Sequence, residues 1–91
     1  MYALEVKDQA DKIFEKLAKK NPKQLSIIGN KITEICMNPL HSYKFLRRPL
    51  QLFNRVHIDS SFVLIFKIDH QRQIVVIYYF DHHNFVYQWR Q

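Results

Sequence analysis

Tyr2, Leu4 and Val6 alternate with Ala3 and Glu5 at the start of the chain. That two-residue period predicts a strand with one apolar face. From Asp8 the spacing changes. Ala10, Ile13, Phe14, Leu17 and Ala18 recur every three or four residues, while Lys12, Glu15, Lys16 and Lys19 fall between them. This is the pattern of an amphipathic helix. Asn21-Pro22 ends it, because a residue before proline avoids helical geometry. Pro22 can open a second helix at its first position. That helix carries Leu25, Ile28, Ile32, Ile35 and Cys36 on one stripe and stops near Asn38-Pro39. Two amphipathic helices with so short a link predict an antiparallel hairpin.

Beyond Lys44 the pattern turns to strands: LQLFNRVHI (50–58), FVLIFKID (62–69) and RQIVVIYYF (72–80) are rich in β-branched and aromatic residues. Asp59-Ser60-Ser61 and Asp69-His70-Gln71-Arg72 separate them with turn-forming chemistry. The expectation is an α+β domain in the order β-α-α-β-β-β. Its N-terminal strand and helical hairpin would pack on a curved antiparallel sheet whose other face meets water. Alternation in the first of the later strands puts Phe53, Arg55 and His57 on one side and Leu52, Asn54, Val56 and Ile58 on the other. If Val56 and Ile58 meet the helices, Arg55 and His57 face the open side.

With 91 residues, 47% apolar positions and one glycine, the chain reads as a single ordered domain spanning 1–91. Its core is small enough that a stabilising partner is plausible. The longest apolar run, Ile74–Phe80, is far below the roughly 20 residues a membrane helix needs. The chain opens MYALEV without a basic-then-apolar leader, and the lone Cys36 reads as core packing. The expected location is therefore cytoplasmic, with no membrane association. A net charge of +6 and pI ≈ 9.6 favour a polyanionic partner, either nucleic acid or an acidic protein.

Two constellations carry candidate chemistry. Lys44, Arg47, Arg48, Arg55, Lys67 and Arg72 interleave with Tyr43, Phe45, Phe53, Tyr87 and Trp89, a composition that can neutralise phosphates and stack bases. The same residues also suit a solvated rim and ordinary sheet aromatics. His57, His82, His83 and Tyr87 form the second set. Metal-free RNA cleavage needs a base for the 2′-hydroxyl, an acid for the leaving 5′-oxygen and cations for the phosphorane, and these residue types suit those tasks. Zinc is disfavoured, since there is no cysteine pair and adjacent residues of an extended segment point opposite ways. No cofactor is expected. His41 and His70 read as plain turn residues, and Asp81 and Asn84 as turn formers. Gly29, the one glycine, lies inside the second helix, so no phosphate-cradling loop exists. No serine elbow or carboxylate pair stands out either.

The stretches YALEVKDQADKIFEKLAKK, KFLRRPLQLFNRVHIDSSFVLIFKID and VVIYYFDHHNFVY, in that order, resemble the RelE/ParE toxin superfamily of toxin–antitoxin modules over essentially the whole chain. The family shows a "K-L-x-x-P-L" approach, a strand with alternating basic residues, a "Y-R-x-x-Y"-like strand and a closing "H-R-x-x-x-Y". Arg55 and His57 stand at the alternating basic pair, His82 at the closing histidine, His83 in place of the closing arginine, and Tyr87 at the terminal tyrosine. Phe62-Val63 departs from the Tyr-Arg of catalytic members and removes one phosphate clamp, a place Arg47, Arg48 or Lys44 would have to fill. The resemblance implies a RelE-like endoribonuclease that cuts mRNA on the ribosome. It also implies silencing by an acidic RelB-like antitoxin in a heterodimer or heterotetramer. Catalysis would rest on Arg55, His57, His82, His83 and Tyr87, and RNA binding on Lys44, Arg47, Arg48 and Lys67. Two other readings stay open: a ParE-like module that poisons DNA gyrase, and a non-catalytic toxin fold kept for antitoxin binding.

Overall fold

The computed structural model describes residues 1–90. Its elements are β1 (Ala3–Val6), α1 (Asp8–Lys20), α2 (Pro22–Met37), β2 (Asn54–Ile58), β3 (Phe62–Asp69), β4 (Ile74–His82) and a short 3-10 turn at Val86–Gln88. The α+β expectation and its β-α-α-β-β-β order hold. Helix α1 begins at Asp8, with Asp8 and Asp11 in its first turn and Lys19 and Lys20 in its last, so both ends complement the helix dipole. The Asn21 side chain accepts the Gln24 N–H at 3.2 Å and Pro22 opens α2, as its fixed φ allows.

The four strands form one sheet in the order β1-β4-β3-β2. β2, β3 and β4 make the expected antiparallel meander, and β1 joins β4 in parallel, with Leu4 opposite Val75. β3 and β4 are therefore central, which explains their long apolar runs. Ile28 and Ile35 of α2 pack with Ala10 of α1 onto Ile58, Leu64, Phe66, Val75, Ile77 and Phe80, forming the main core.

The other sheet face is not open. Leu46, Leu50 and Phe53 fold over it from one side and Val86 and Trp89 from the other, burying Val63 and Ile65 in a second cluster. The sequence reading that ran a strand through Leu50–Phe53 is thus corrected. Leu50 N–H donates to the Arg47 carbonyl at 2.9 Å and Phe53 N–H to the Leu50 carbonyl at 3.0 Å, making two consecutive tight turns. Phe53 and Trp89 are core residues, meeting edge to face at 5.1 Å, and are not available to stack bases. The Trp89 indole N–H donates to Gln9 Oε1 at 2.9 Å, fastening the C-terminal segment to α1.

A bulge corrects the reading of the chain end. Ile65 pairs with Tyr79 but Phe66 pairs with Ile77, leaving Tyr78 as the extra residue. Inserting one residue reverses the side-chain parity beyond it. Tyr78 and Tyr79 consequently share the second face, while Phe80 and His82 turn to the helix side. Asp81 is a strand residue, not a turn former: its carboxylate accepts the Tyr79 hydroxyl at 2.7 Å and the His82 N–H at 2.7 Å.

Candidate active-site groove

Arg55 and His57 alternate on β2, opposite Ile65 and Val63 of β3, and so point to the second face as their spacing predicted. The segment over that face brings Leu46 and Arg47, and the chain end brings His83, Val86 and Tyr87. These residues and Val63 enclose a groove of about 230 Å³. Val63, 3% exposed, forms an apolar floor between His57 on one side and Asp81 on the other.

Hydrogen bonds orient the groove's polar groups. The Ser61 carbonyl takes the His83 N–H at 2.8 Å and also lies 2.9 Å from His83 Nδ1. A carbonyl only accepts, so Nδ1 carries a proton, and in the neutral ring Nε2 keeps its lone pair. His57 is the reverse. Its Nδ1 lies 3.4 Å from an Arg55 guanidinium nitrogen, which only donates, so the His57 proton is on Nε2. In their neutral forms one imidazole therefore keeps a free acceptor nitrogen and the other an N–H that can donate a hydrogen bond.

Tyr87 is held by Arg47. The Arg47 backbone N–H donates to the phenol oxygen at 3.0 Å, Nε lies 3.5 Å from it, and the guanidinium rests 4.7 Å from the ring centre. Burial pushes the Tyr87 phenol up. The two Arg47 hydrogen bonds and the charges of Arg47 and Arg55 outweigh burial and hold it below the ordinary tyrosine value. With its oxygen occupied as acceptor, the Tyr87 O–H remains a donor.

Other expected residues lie elsewhere. His82 stands edge-on to Phe62 at 5.4 Å on the helix side, its Nδ1 accepting the Asn84 N–H at 3.1 Å. It reaches the groove only by stacking on His83, with ring centres 4.5 Å apart. Lys67 rests over the Phe53 ring at 4.4 Å, away from the groove, and Arg72 neighbours Glu5 and Asp69 at 4.0 and 3.9 Å. Arg48 is exposed and does not line the groove. Lys44 borders it from a neighbouring cleft that Arg55 and His57 also line. His41, read from sequence as a plain turn residue, lines that cleft too. Only its place on the segment beside β2 reveals this, and no sequence pattern marked it. Among the described residues no group of three or more metal-ligating side chains gathers, and no helix is long and apolar enough to cross a membrane.

Comparison with known proteins shows to which class this basic α+β fold, with its groove of histidine, arginine and tyrosine, belongs. No protein-family model matches the chain. It is 48% identical over 88 residues to a Methanocaldococcus jannaschii protein named "Putative toxin RelE4", covering 97% of this chain and 93% of that one. The toxin–antitoxin complex RelBE2 of Mycobacterium tuberculosis contains a chain that matches with TM-score 0.73 and 25% identity, covering 90% of this chain and 98% of the other. The intact E. coli RelBE complex contains a chain of the same fold, with TM-score 0.66 and 20% identity over 90% of this chain and 96% of that one. The chain belongs to the RelE toxin family.

Proposed function

We propose that residues 1–91 act as one toxin domain that cleaves mRNA on the ribosome without metal and is silenced by an acidic RelB-like antitoxin. The observation that carries this reading is that one groove gathers His83, held through Nδ1, with His57, Arg55, Arg47 and the Arg47-bound Tyr87. The unprotonated His83 Nε2 takes the proton of a ribose 2′-hydroxyl. The oxygen attacks phosphorus, the bond to the 5′-oxygen breaks, and Tyr87, whose phenol Arg47 and Arg55 hold below the ordinary value, gives its O–H proton to that leaving oxygen. Arg55, Arg47 and the His57 Nε2–H stabilise the charge on the phosphorane over the Val63 floor. The products are a 2′,3′-cyclic phosphate and a 5′-hydroxyl. A net charge of +6 supports both the RNA and the acidic antitoxin, and the RelBE likeness supports the latter.

Mapping mRNA ends after induced expression tests this reading: cuts within translated codons are expected, and growth arrest with intact mRNA would refute it. One observation favours a second reading. Val63 offers no cation on the groove floor, and a toxin fold kept only for antitoxin binding would need none. Expression would then leave growth and mRNA unaffected.

A further inference from the structure

We propose that the cleft on the outer side of β2 is a second nucleotide subsite, holding the base next to the scissile phosphate of a single-stranded RNA. This inference rests on the groove binding RNA, as argued above. The cleft encloses about 540 Å³, and Arg55 and His57 line it as well as the groove. The two hollows thus share one rim, and a strand whose phosphate rests on that rim has its neighbouring nucleotide over the cleft.

The cleft is built before any ligand arrives. β2 is the outermost strand, and the segment at 41–45 runs along its free side. The Arg55 N–H donates to the Lys44 carbonyl at 2.9 Å, and Asn54 Nδ2 donates to the Tyr43 carbonyl at 3.3 Å. The Tyr43 hydroxyl reaches the end of α2, donating to the Asn38 carbonyl at 3.0 Å. Three elements are thereby tied around one hollow, so little ordering cost remains for a ligand.

The lining suits a nucleotide. The exposed His41 ring is braced edge to face against Tyr43 at 4.7 Å and offers a surface for base stacking. Lys31 is paired with Glu34 at 3.1 Å, which offsets the one carboxylate in the cleft. Among the described residues Lys44 makes no ion pair, leaving its ammonium for a phosphate.

The test uses the full chain and an RNA hexanucleotide made uncleavable by 2′-methoxy groups. Amide shifts are followed by NMR and affinity by fluorescence anisotropy. The expected result is shifts at His41 and Lys44 together with His83 and Tyr87. His41→Ala with Lys44→Ala should bind about tenfold more weakly, about 1.4 kcal/mol, with shifts at His83 and Tyr87 retained. Shifts confined to the groove, or a variant that binds like the native protein, would overturn the subsite and leave the groove reading standing. Shifts in neither place would remove both.

Discussion

The Arg47 backbone N–H donates to the Tyr87 hydroxyl at 3.0 Å, joining the segment that covers the sheet to the last turn of the chain. The bond ties one wall of the groove to the other and lowers the Tyr87 phenol against the opposing effect of burial. In an ultraviolet titration Tyr87 should ionise below the ordinary tyrosine range. Tyr87→Phe should abolish that component and, if the O–H protonates the leaving oxygen, slow RNA cleavage by roughly 10²-fold or more. A native titration with no component below the ordinary range would rule the arrangement out.

His82 stacks on His83 at 4.5 Å, so if His83 is the base, His82 is a positioning residue that acts through it. His82→Phe keeps an aromatic face and should retain cleavage within about threefold. His82→Ala leaves His83 with only its Ser61 bonds and should reduce kcat about tenfold, with KM little changed, if positioning contributes a modest part of the roughly 10²–10⁴-fold from acid–base catalysis. Equal activity of the two variants would show that the stack is not needed. A hundredfold loss in His82→Phe would show that the imidazole itself is required.

Tyr79 gives a stability prediction at high pH. Burial and then the Asp81 hydrogen bond and charge push its phenol up to about 12. The raised value means the folded state binds this proton more tightly than the unfolded chain does. The stabilisation is therefore complete below the ordinary tyrosine value near 10 and is lost as pH rises from there through about 12. Asp81→Ala should move the late-titrating tyrosine down and so make the loss of stability between the ordinary tyrosine value and about 12, followed by circular dichroism in denaturant, smaller than in the native protein.

Leu64 and Phe66 show how far the apolar pattern carries. Both are fully buried on the helix side of β3, as the FVLIFKID run implies. Leu64→Ala should destabilise the fold by about 2–5 kcal/mol in denaturant unfolding. A loss below about 1 kcal/mol would contradict the central placement of β3.

Much of this fold was legible because local chemistry and tertiary packing agree. Asn21-Pro22 both ends one helix and begins the next, and Val56 and Ile58 do meet the helix layer, so Arg55 and His57 point into the groove. What escaped depends on interactions distant in sequence. The bulge at Tyr78 carries no glycine or proline to announce it, yet it alone turns His82 away from the groove. Leu50 and Phe53 have a strand's composition but serve as the lid of a second core, because their backbone hydrogen bonds close turns rather than a ladder. Trp89 resembled a stacking platform, and its burial follows from contacts with Phe53 and Tyr79 that no local window contains.

The most direct test of the groove is the chemistry of the cut ends. Purified toxin is mixed with translating ribosomes in excess EDTA-free and metal-varied buffers, and the mRNA fragments are analysed for terminal groups. The expected result is 2′,3′-cyclic phosphate and 5′-hydroxyl ends, with the rate reduced by roughly 10²-fold or more in His83→Ala combined with Tyr87→Phe. Fragments with 3′-hydroxyl and 5′-phosphate ends, or an unchanged rate in that double variant, would contradict the assignment of His83 as base and Tyr87 as donor.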